Sequence, residues 1–167
     1  MSNEAVSSYL NDHWAGVGAG LLVARRLARN NKSTVWAERL AWLADQMASD
    51  EQTLAAVREA LQVDEGGLKR AGARAVERVS AWKPKGKLLG YTPMSRLLDT
   101  ESTITSVIGK QSLWAGLGGA LTRDPRLIPF DFASLEQRAL EQLALLRDFH
   151  RVAIVAALNG DETGLFS

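Results

Sequence analysis

The chain has 167 residues with 46% hydrophobic and 23% charged side chains, and its formal net charge is +1. This length fits one domain over residues 1–167, whose core can bury about 68–70% of the surface of the unfolded chain. The composition is globular and excludes wholesale disorder. Because the chain contains no cysteine, disulfides, thiol nucleophiles, cysteine-bound zinc and iron–sulfur clusters are excluded.

The first residues lack the basic-then-apolar pattern of a secretory signal. The longest uninterrupted apolar run, from Ala15 to Ala24, covers only about half of a bilayer. We therefore expect a cytoplasmic protein that has no membrane partner.

Two N-terminal segments repeat apolar or small residues at steps of three and four, the spacing of one helical face. In the first segment, about Asn3 to Asn30, the stripe contains Leu10, Trp14, Val17, Leu21, Ala24 and Ala28. In the second, the stripe contains Trp36, Leu40, Leu43, Met47, Leu54, Val57 and Leu61. Ser33 or Thr34 is the predicted cap of this second helix, and Gly66-Gly67 ends it. The short break between the segments predicts that helix 2 doubles back along helix 1.

Two further helices are predicted in the C-terminal half. Thr92-Pro93, a cap followed by proline, opens helix 3, which runs toward Leu121. Its apolar stripe contains Leu97, Leu98, Ile104, Ile108 and Trp114. Ser134 to Gln137 has a capping-box pattern and opens helix 4, which ends at Asn159-Gly160. The stripe of helix 4 contains Leu135, Ala139, Leu143, Leu146, Ala153 and Ala157.

About thirty residues, from Val63 to Pro93, separate helices 2 and 3 and include a predicted short helix, Gly67 to Trp82. A link of this length can return along the bundle and leave helices 2 and 3 parallel. No segment alternates with period two, so we expect no sheet. The predicted fold is all-α, an antiparallel four-helix bundle with a long crossover in the ferritin-like order. A five-helix array without that symmetry is the rival architecture.

Glycines occur in two groups within the predicted helices. These groups are Gly16, Gly18 and Gly20 in helix 1, and Gly116, Gly118 and Gly119 in helix 3. A glycine inside a helix costs up to about 1 kcal/mol relative to alanine, so the two groups predict close backbone approach of helices 1 and 3. Alternatively, the second group marks the end of helix 3.

Each helix also places one ionisable residue on or near its apolar stripe: His13, Asp50, Glu101 and His150. Buried charges normally pair or bind a metal. Two helices joined by a short turn run antiparallel, so residues at equal distances from the turn lie at the same level. On this basis His13 is expected near Asp50, and Glu101 near His150. All four residues are therefore candidate metal ligands, and the alternative is two structural hydrogen-bonded pairs.

The helix order and these carboxylate and histidine positions resemble the ferritin-like superfamily. The segments Tyr9–His13 and Leu22–Ala28 are similar to uncharacterised bacterial proteins of that architecture. The resemblance implies the bundle fold and, in di-iron members, Glu on helices 1 and 3 with Glu-x-x-His on helices 2 and 4. Only Glu101 matches this pattern, and His13 stands where the helix 1 Glu is expected. Since the standard motifs are absent, we favour no metal over iron or another divalent cation.

The predicted crossover is the basic part of the chain. Its basic residues are Lys69, Arg70, Arg74, Arg78, Lys83, Lys85 and Lys87, against three acidic residues. Such a surface can attract an anion or an acidic partner. Aromatic residues are not interleaved with these charges, so we do not expect nucleic acid as the partner.

No motif in the sequence specifies a reaction. The favoured function is a non-catalytic helical-bundle module for interaction or assembly, either as a homodimer or with another protein. The alternative is an atypical metal-binding protein or a metal-dependent oxidoreductase with a degenerate site. A third hypothesis is a binder of a small apolar ligand between helices 1 and 3.

Overall fold

A computed structural model describes residues 3–63, 90–121 and 123–166 of the protein. The helices are α1 (Asn3–Asn30), α2 (Ala37–Ala60), α3 (Pro93–Ala120), α4 (Phe132–Asn159) and the short α5 (Thr163–Phe166), with a 3-10 turn at Pro125–Leu127. Over the described ranges the chain contains no strand, so the all-α prediction is confirmed. None of the helices described is long and apolar enough to cross a membrane.

Two predictions lie outside the described residues. One is the short helix from Gly67 to Trp82. The other is the basic surface that extends from Lys69 to Lys87.

Local capping explains where α3 and α4 begin. Thr92 accepts a hydrogen bond from Ser95 N at 3.1 Å and is followed by Pro93, as predicted. The cap of α4 is Asp131 rather than the predicted Ser134, because the Asp131 carboxylate accepts from Ser134 N at 3.1 Å. The actual first turn therefore precedes the capping-box pattern.

The turn between α1 and α2 is longer than predicted. Thr34 does not cap α2; its hydroxyl donates to Asn31 O at 2.8 Å and accepts from Trp36 N at 3.2 Å. The indole of Trp36 in turn donates to Gly164 O at 3.0 Å. The α1–α2 turn is thus fastened to α5, which the sequence analysis did not predict.

Each long helix packs against two others. α1 contacts α2 and α3, α3 contacts α4, and α2 meets α4. Residue pairs across these seams show how the helices are aligned. Between α1 and α2 they include Asn11–Arg58 and Gly18–Glu51, and between α1 and α3 they include Tyr9–Gly116 and Arg26–Asp99. Between α3 and α4 they include Gln111–Glu136 and Glu101–His150, and α2 with its cap residue meets α4 through Asp50–Arg138 and Trp36–Phe149.

The α1–α3 seam depends on glycine. A Cβ at Gly20 would lie 1.9 Å from the Ser106 hydroxyl oxygen, and a Cβ at Gly116 would lie 3.2 Å from the Tyr9 hydroxyl. Ser106 also donates to Gly16 O at 3.3 Å. Helices α1 and α3 therefore approach closely at Gly20 as predicted, but the two glycine groups do not meet, because Gly18 faces Glu51 of α2 and Gly118 faces Phe132 of α4.

The interior face of α3 is rotated from the predicted stripe. Ile108, predicted inside, is 44% exposed, whereas Thr100 and Thr103 are fully buried. Both threonine hydroxyls donate to backbone carbonyls four residues earlier, at 2.8 and 2.7 Å. Because each polar group is satisfied within its own helix, threonine can occupy an interior position at little cost.

Candidate functional site

Four polar side chains from α2, α3 and α4 meet in the interior, and we refer to them as the Lys110 cluster: Asp50, Lys110, Arg138 and Gln142. The Lys110 ammonium donates to the Asp50 carboxylate and, at 2.6 Å, to Gln142 Oε1. Gln142 Nε2 donates to Asp50 Oδ2 at 2.9 Å. Arg138 Nη2 forms an ion pair with Asp50 Oδ1 at 2.5 Å. Both carboxylate oxygens therefore have a cationic or amide partner.

Because the Lys110 cluster is buried, its charged side chains need oppositely charged or hydrogen-bonding partners to remain ionised. Asp50 and Gln142 are completely buried and Lys110 is 1% exposed. Removal from water lowers the pKa of Lys110, and the negative Asp50 opposes this effect. An isolated buried ion costs several kcal/mol, so the ammonium and the carboxylate stabilise each other where neither could remain alone. Arg138, whose side chain is partly exposed, connects the cluster to the surface.

The structure separates the four predicted metal-ligand candidates into different environments. Asp50 pairs with Lys110 rather than with the predicted His13. Glu101 and His150 do meet, with 3.1 Å between Oε1 and Nε2, as predicted. Within residues 3–63, 90–121 and 123–166, no group of three or more His, Asp or Glu side chains is placed to hold a metal.

The Glu101–His150 pair lies at the edge of the α3–α4 seam. The His150 side chain is 29% exposed and that of Glu101 is 37% exposed, so neither occupies the interior position that the stripe predicted. Phe149, which is fully buried, fills that place next to His150. The pair is therefore accessible to solvent, unlike Asp50, Lys110 and Gln142.

His13 is half-buried on α1 and packs edge-on against Tyr9, with 4.5 Å between the ring centroids. Burial lowers the pKa of His13, and the nearby Asp12 charge opposes the shift. The neutral imidazole is therefore favoured in the folded state.

This shift predicts a pH dependence of stability. As the pH falls below the ordinary histidine value of 6.5, the unfolded chain takes up a proton that folded His13 still resists, so the free energy of unfolding decreases. His13→Asn should show a smaller decrease between about pH 7 and pH 5 in urea unfolding experiments. An identical decrease in both proteins would contradict the assignment.

A second polar network fastens the end of α1 to the start of α3. Arg26 Nε donates to Asp99 Oδ2 at 2.8 Å, and Arg96 Nε donates to Asn31 Oδ1 at 2.7 Å. Burial raises the pKa of Asp99, and the Arg26 guanidinium opposes the increase. These pairs join the end of α1 to the start of α3, which are distant in sequence.

One stretch each of α1 and α3 exposes no charged side chain, and we call the two together the uncharged wall: the exposed residues of 13–24 on α1 and of 102–121 on α3. Residues 13–24 contain no Asp, Glu, Lys or Arg, and the only such residue among 102–121 is the buried Lys110. Leu22 on this wall is 67% exposed. The α1 part extends over about 18 Å at 1.5 Å per residue. Protein surfaces are normally rich in charge, whereas the centres of protein interfaces are depleted of it.

Sequence reasoning missed Lys110 and Gln142, although a signal for Lys110 was present. Thr100, Thr103, Val107, Lys110, Trp114 and Leu117 follow each other at alternating steps of three and four and are all buried. Treating threonine as an interior residue would have selected this stripe and placed Lys110 inside. No comparable signal shows that Asp50 and Lys110 meet, since that depends on which helices are neighbours.

No protein-family model, curated protein or solved structure matches this chain.

Proposed function

We propose that the chain is a ferritin-like helical bundle that acts as a non-catalytic assembly module, and that a second copy of the same chain is its partner. The observation that carries the proposal is the uncharged wall on α1 and α3. The order of the helices and the nature of the Lys110 cluster support it.

The seam contacts support an antiparallel bundle in the ferritin-like order. Along α1, the partners on α2 run backwards from Arg58 to Glu51, and the partners on α3 run backwards from Gly116 to Asp99. Both reversals support the proposed order, in which α2 and α3 run opposite to α1 and parallel to each other. A long crossover between helices 2 and 3 is what such an order requires.

The Lys110 cluster supports a structural role for the centre of the bundle. Di-iron bundles gather carboxylate and histidine ligands around metal cations. Here, oxygens of Asp50 and Gln142 surround the ammonium of Lys110 instead. The positive charge at this point is supplied by the chain itself, and its hydrogen bonds join α2, α3 and α4.

The uncharged wall supports protein association. Its exposed residues are small or apolar, and Gly20 and Ser106 allow α1 and α3 to approach closely. A surface that lacks charge over a continuous area is typical of the centre of an interface.

Charge at the two ends of α1 favours a second copy as the partner. Glu4 and Asp12 precede the uncharged segment, while Arg25 and Arg29 follow it. A two-fold axis near Ala19 would lay α1 antiparallel to its equivalent, placing each acidic end against a basic end. The same surface is then complementary to itself.

A matched pair of variants tests the proposal. Leu22→Glu puts a charge on the most exposed apolar residue of the α1 part of the wall, whereas Leu158→Glu changes an equally exposed leucine on α4, with 67% and 65% exposure respectively. Sedimentation equilibrium should show a dimer for the wild-type chain at concentrations up to about 100 µM. Leu22→Glu should raise the dimer dissociation constant at least about tenfold, and Leu158→Glu should leave it unchanged.

Two results would overturn the proposal. One is a wild-type chain that stays monomeric over this concentration range. The other is an equal loss of association in both variants, which would show that the effect is not specific to the wall. Far-UV circular dichroism of each variant controls for folding.

A further inference from the structure

One side chain in the two stretches of the uncharged wall titrates near neutral pH. Over residues 13–24 and 102–121, the ionisable side chains are His13, which begins the α1 stretch, and Lys110. Lys110 is buried and its ammonium is bound within the Lys110 cluster. Histidine is the side chain whose charge ordinarily changes between about pH 5 and pH 8. His13 therefore decides whether these two stretches carry a charge at the surface.

His13 lies close to the place where α1 meets α3. Its ring packs edge-on against Tyr9, with 4.5 Å between the centroids, and Tyr9 is 41% exposed. The Tyr9 hydroxyl reaches α3, where it lies 3.2 Å from the position of a Cβ on Gly116. Burial raises the pKa of Tyr9, so its phenol stays neutral around pH 7. The half-buried imidazole is thus the group at this point of the seam that can take up a proton.

The charged groups around His13 come from its own helix and from α2. Asp12 precedes it on α1, and Arg58 and Glu51 of α2 contact α1 on its N-terminal and C-terminal sides. The α3 stretch contributes only the buried Lys110. Burial lowers the pKa of His13 more strongly than Asp12 raises it. The imidazole is therefore neutral at and above neutral pH.

The proposed two-fold axis brings His13 level with a positive charge. When the axis lies near Ala19, residues 13 and 25 are equally distant from it, so His13 of each copy lies level with the partner's Arg25, which is exposed on the free chain. A neutral imidazole can accept a hydrogen bond from a guanidinium, whereas an imidazolium is repelled by it. Removal from water at the interface also disfavours the protonated form.

We propose that His13 makes self-assembly dependent on pH: two copies pair through the uncharged wall while this imidazole is neutral and separate when it is protonated. Because this pH dependence needs a second copy on the wall, it rests on the proposed function. The free chain takes up protons that the dimer resists, so a fall in pH favours the free chain. Each dimer contains two His13 side chains, and the effect therefore acts twice.

Sedimentation equilibrium at two pH values tests the proposal. The dimer dissociation constant of the wild-type chain should be at least about tenfold higher at about pH 5.0 than at about pH 7.5. His13→Asn cannot take up the proton, so its dissociation constant should change by less than about threefold. His13→Lys is charged at both pH values, so its dimer should already be weak at the higher pH.

The second histidine of the chain provides the matched control. His150→Asn removes the only other histidine, which lies on the α3–α4 seam, and this variant should keep the full wild-type response. Acid also begins to protonate Glu4 and Asp12 at the ends of the wall, but that effect is common to the wild type and His13→Asn. Far-UV circular dichroism at each pH checks that the dissociated chain stays folded.

The possible failures of the two proposals can be told apart. A wild-type chain that is monomeric at the higher pH would overturn the proposed function and the pH dependence with it. A dimer with the same dissociation constant at both pH values would overturn the pH dependence alone. Equal responses in the wild type and His13→Asn, or loss of helical signal together with the dimer, would also overturn it.

Discussion

Lys110→Met is expected to lower the free energy of unfolding by about 3 kcal/mol. The substitution preserves most of the side-chain volume but leaves the completely buried Asp50 without its ammonium partner. Removing one member of a buried ion pair typically costs about 3–5 kcal/mol. The lower end applies because Arg138 retains its contact with Asp50. Urea unfolding at neutral pH measures the change.

Two further variants make this prediction specific. In Asp50→Asn/Lys110→Met the buried carboxylate is neutral and its amide can still bond with Arg138 and Gln142, so part of the lost stability should return. Lys32→Met removes an exposed lysine and should change stability by less than about 0.5 kcal/mol. Equal effects at Lys110 and Lys32 would contradict the buried ion pair.

Gly20→Ala is expected to lower the free energy of unfolding by about 2 kcal/mol. Its Cβ would lie 1.9 Å from Ser106 Oγ and 2.5 Å from Ser106 Cβ, and rotation of the serine can relieve only the first contact. Alanine gains up to about 1 kcal/mol of helix propensity over glycine, which offsets part of the clash. Helices α1 and α3 must therefore move apart, and thermal or urea unfolding records the loss.

Gly16→Ala is the matched control on the same helix. A Cβ there meets nothing within 4 Å, so only the gain in helix propensity remains and the variant should be more stable than the wild type. Adding Ser106→Gly to Gly20→Ala removes both contacts and should restore part of the loss. Equal stabilisation by Gly20→Ala and Gly16→Ala would contradict the close approach of α1 and α3 at Gly20.

Predictions from the sequence were most accurate for features that depend on interactions between residues close together in the chain. In α2 the predicted stripe is confirmed, because all of its members from Leu40 to Val57, Asp50 included, are buried. In α3 the Thr92 cap and the burial of Leu97 and Trp114 were predicted correctly, but Ile108 is exposed, and Thr100 and Thr103 lie inside. In α4 the stripe was nearly right, with Phe149 in the position expected for His150.

The candidate sites were harder to predict. The contact between Glu101 and His150 could be predicted, because α3 and α4 are consecutive helices and the two residues lie at similar distances from the turn that joins them. The partner of Asp50 lies sixty residues away on α3, across the core, and no turn relates the two positions.

The amino-acid sequence by itself determined the helical class, the caps at Thr92 and Gly160, and the inward face of α2, because hydrogen bonds and apolar spacing within a few residues decide these features. The tertiary structure decided which polar side chains meet. That choice depends on how closely two helices approach and how far each is rotated, and contacts such as Gly20 against Ser106 determine both.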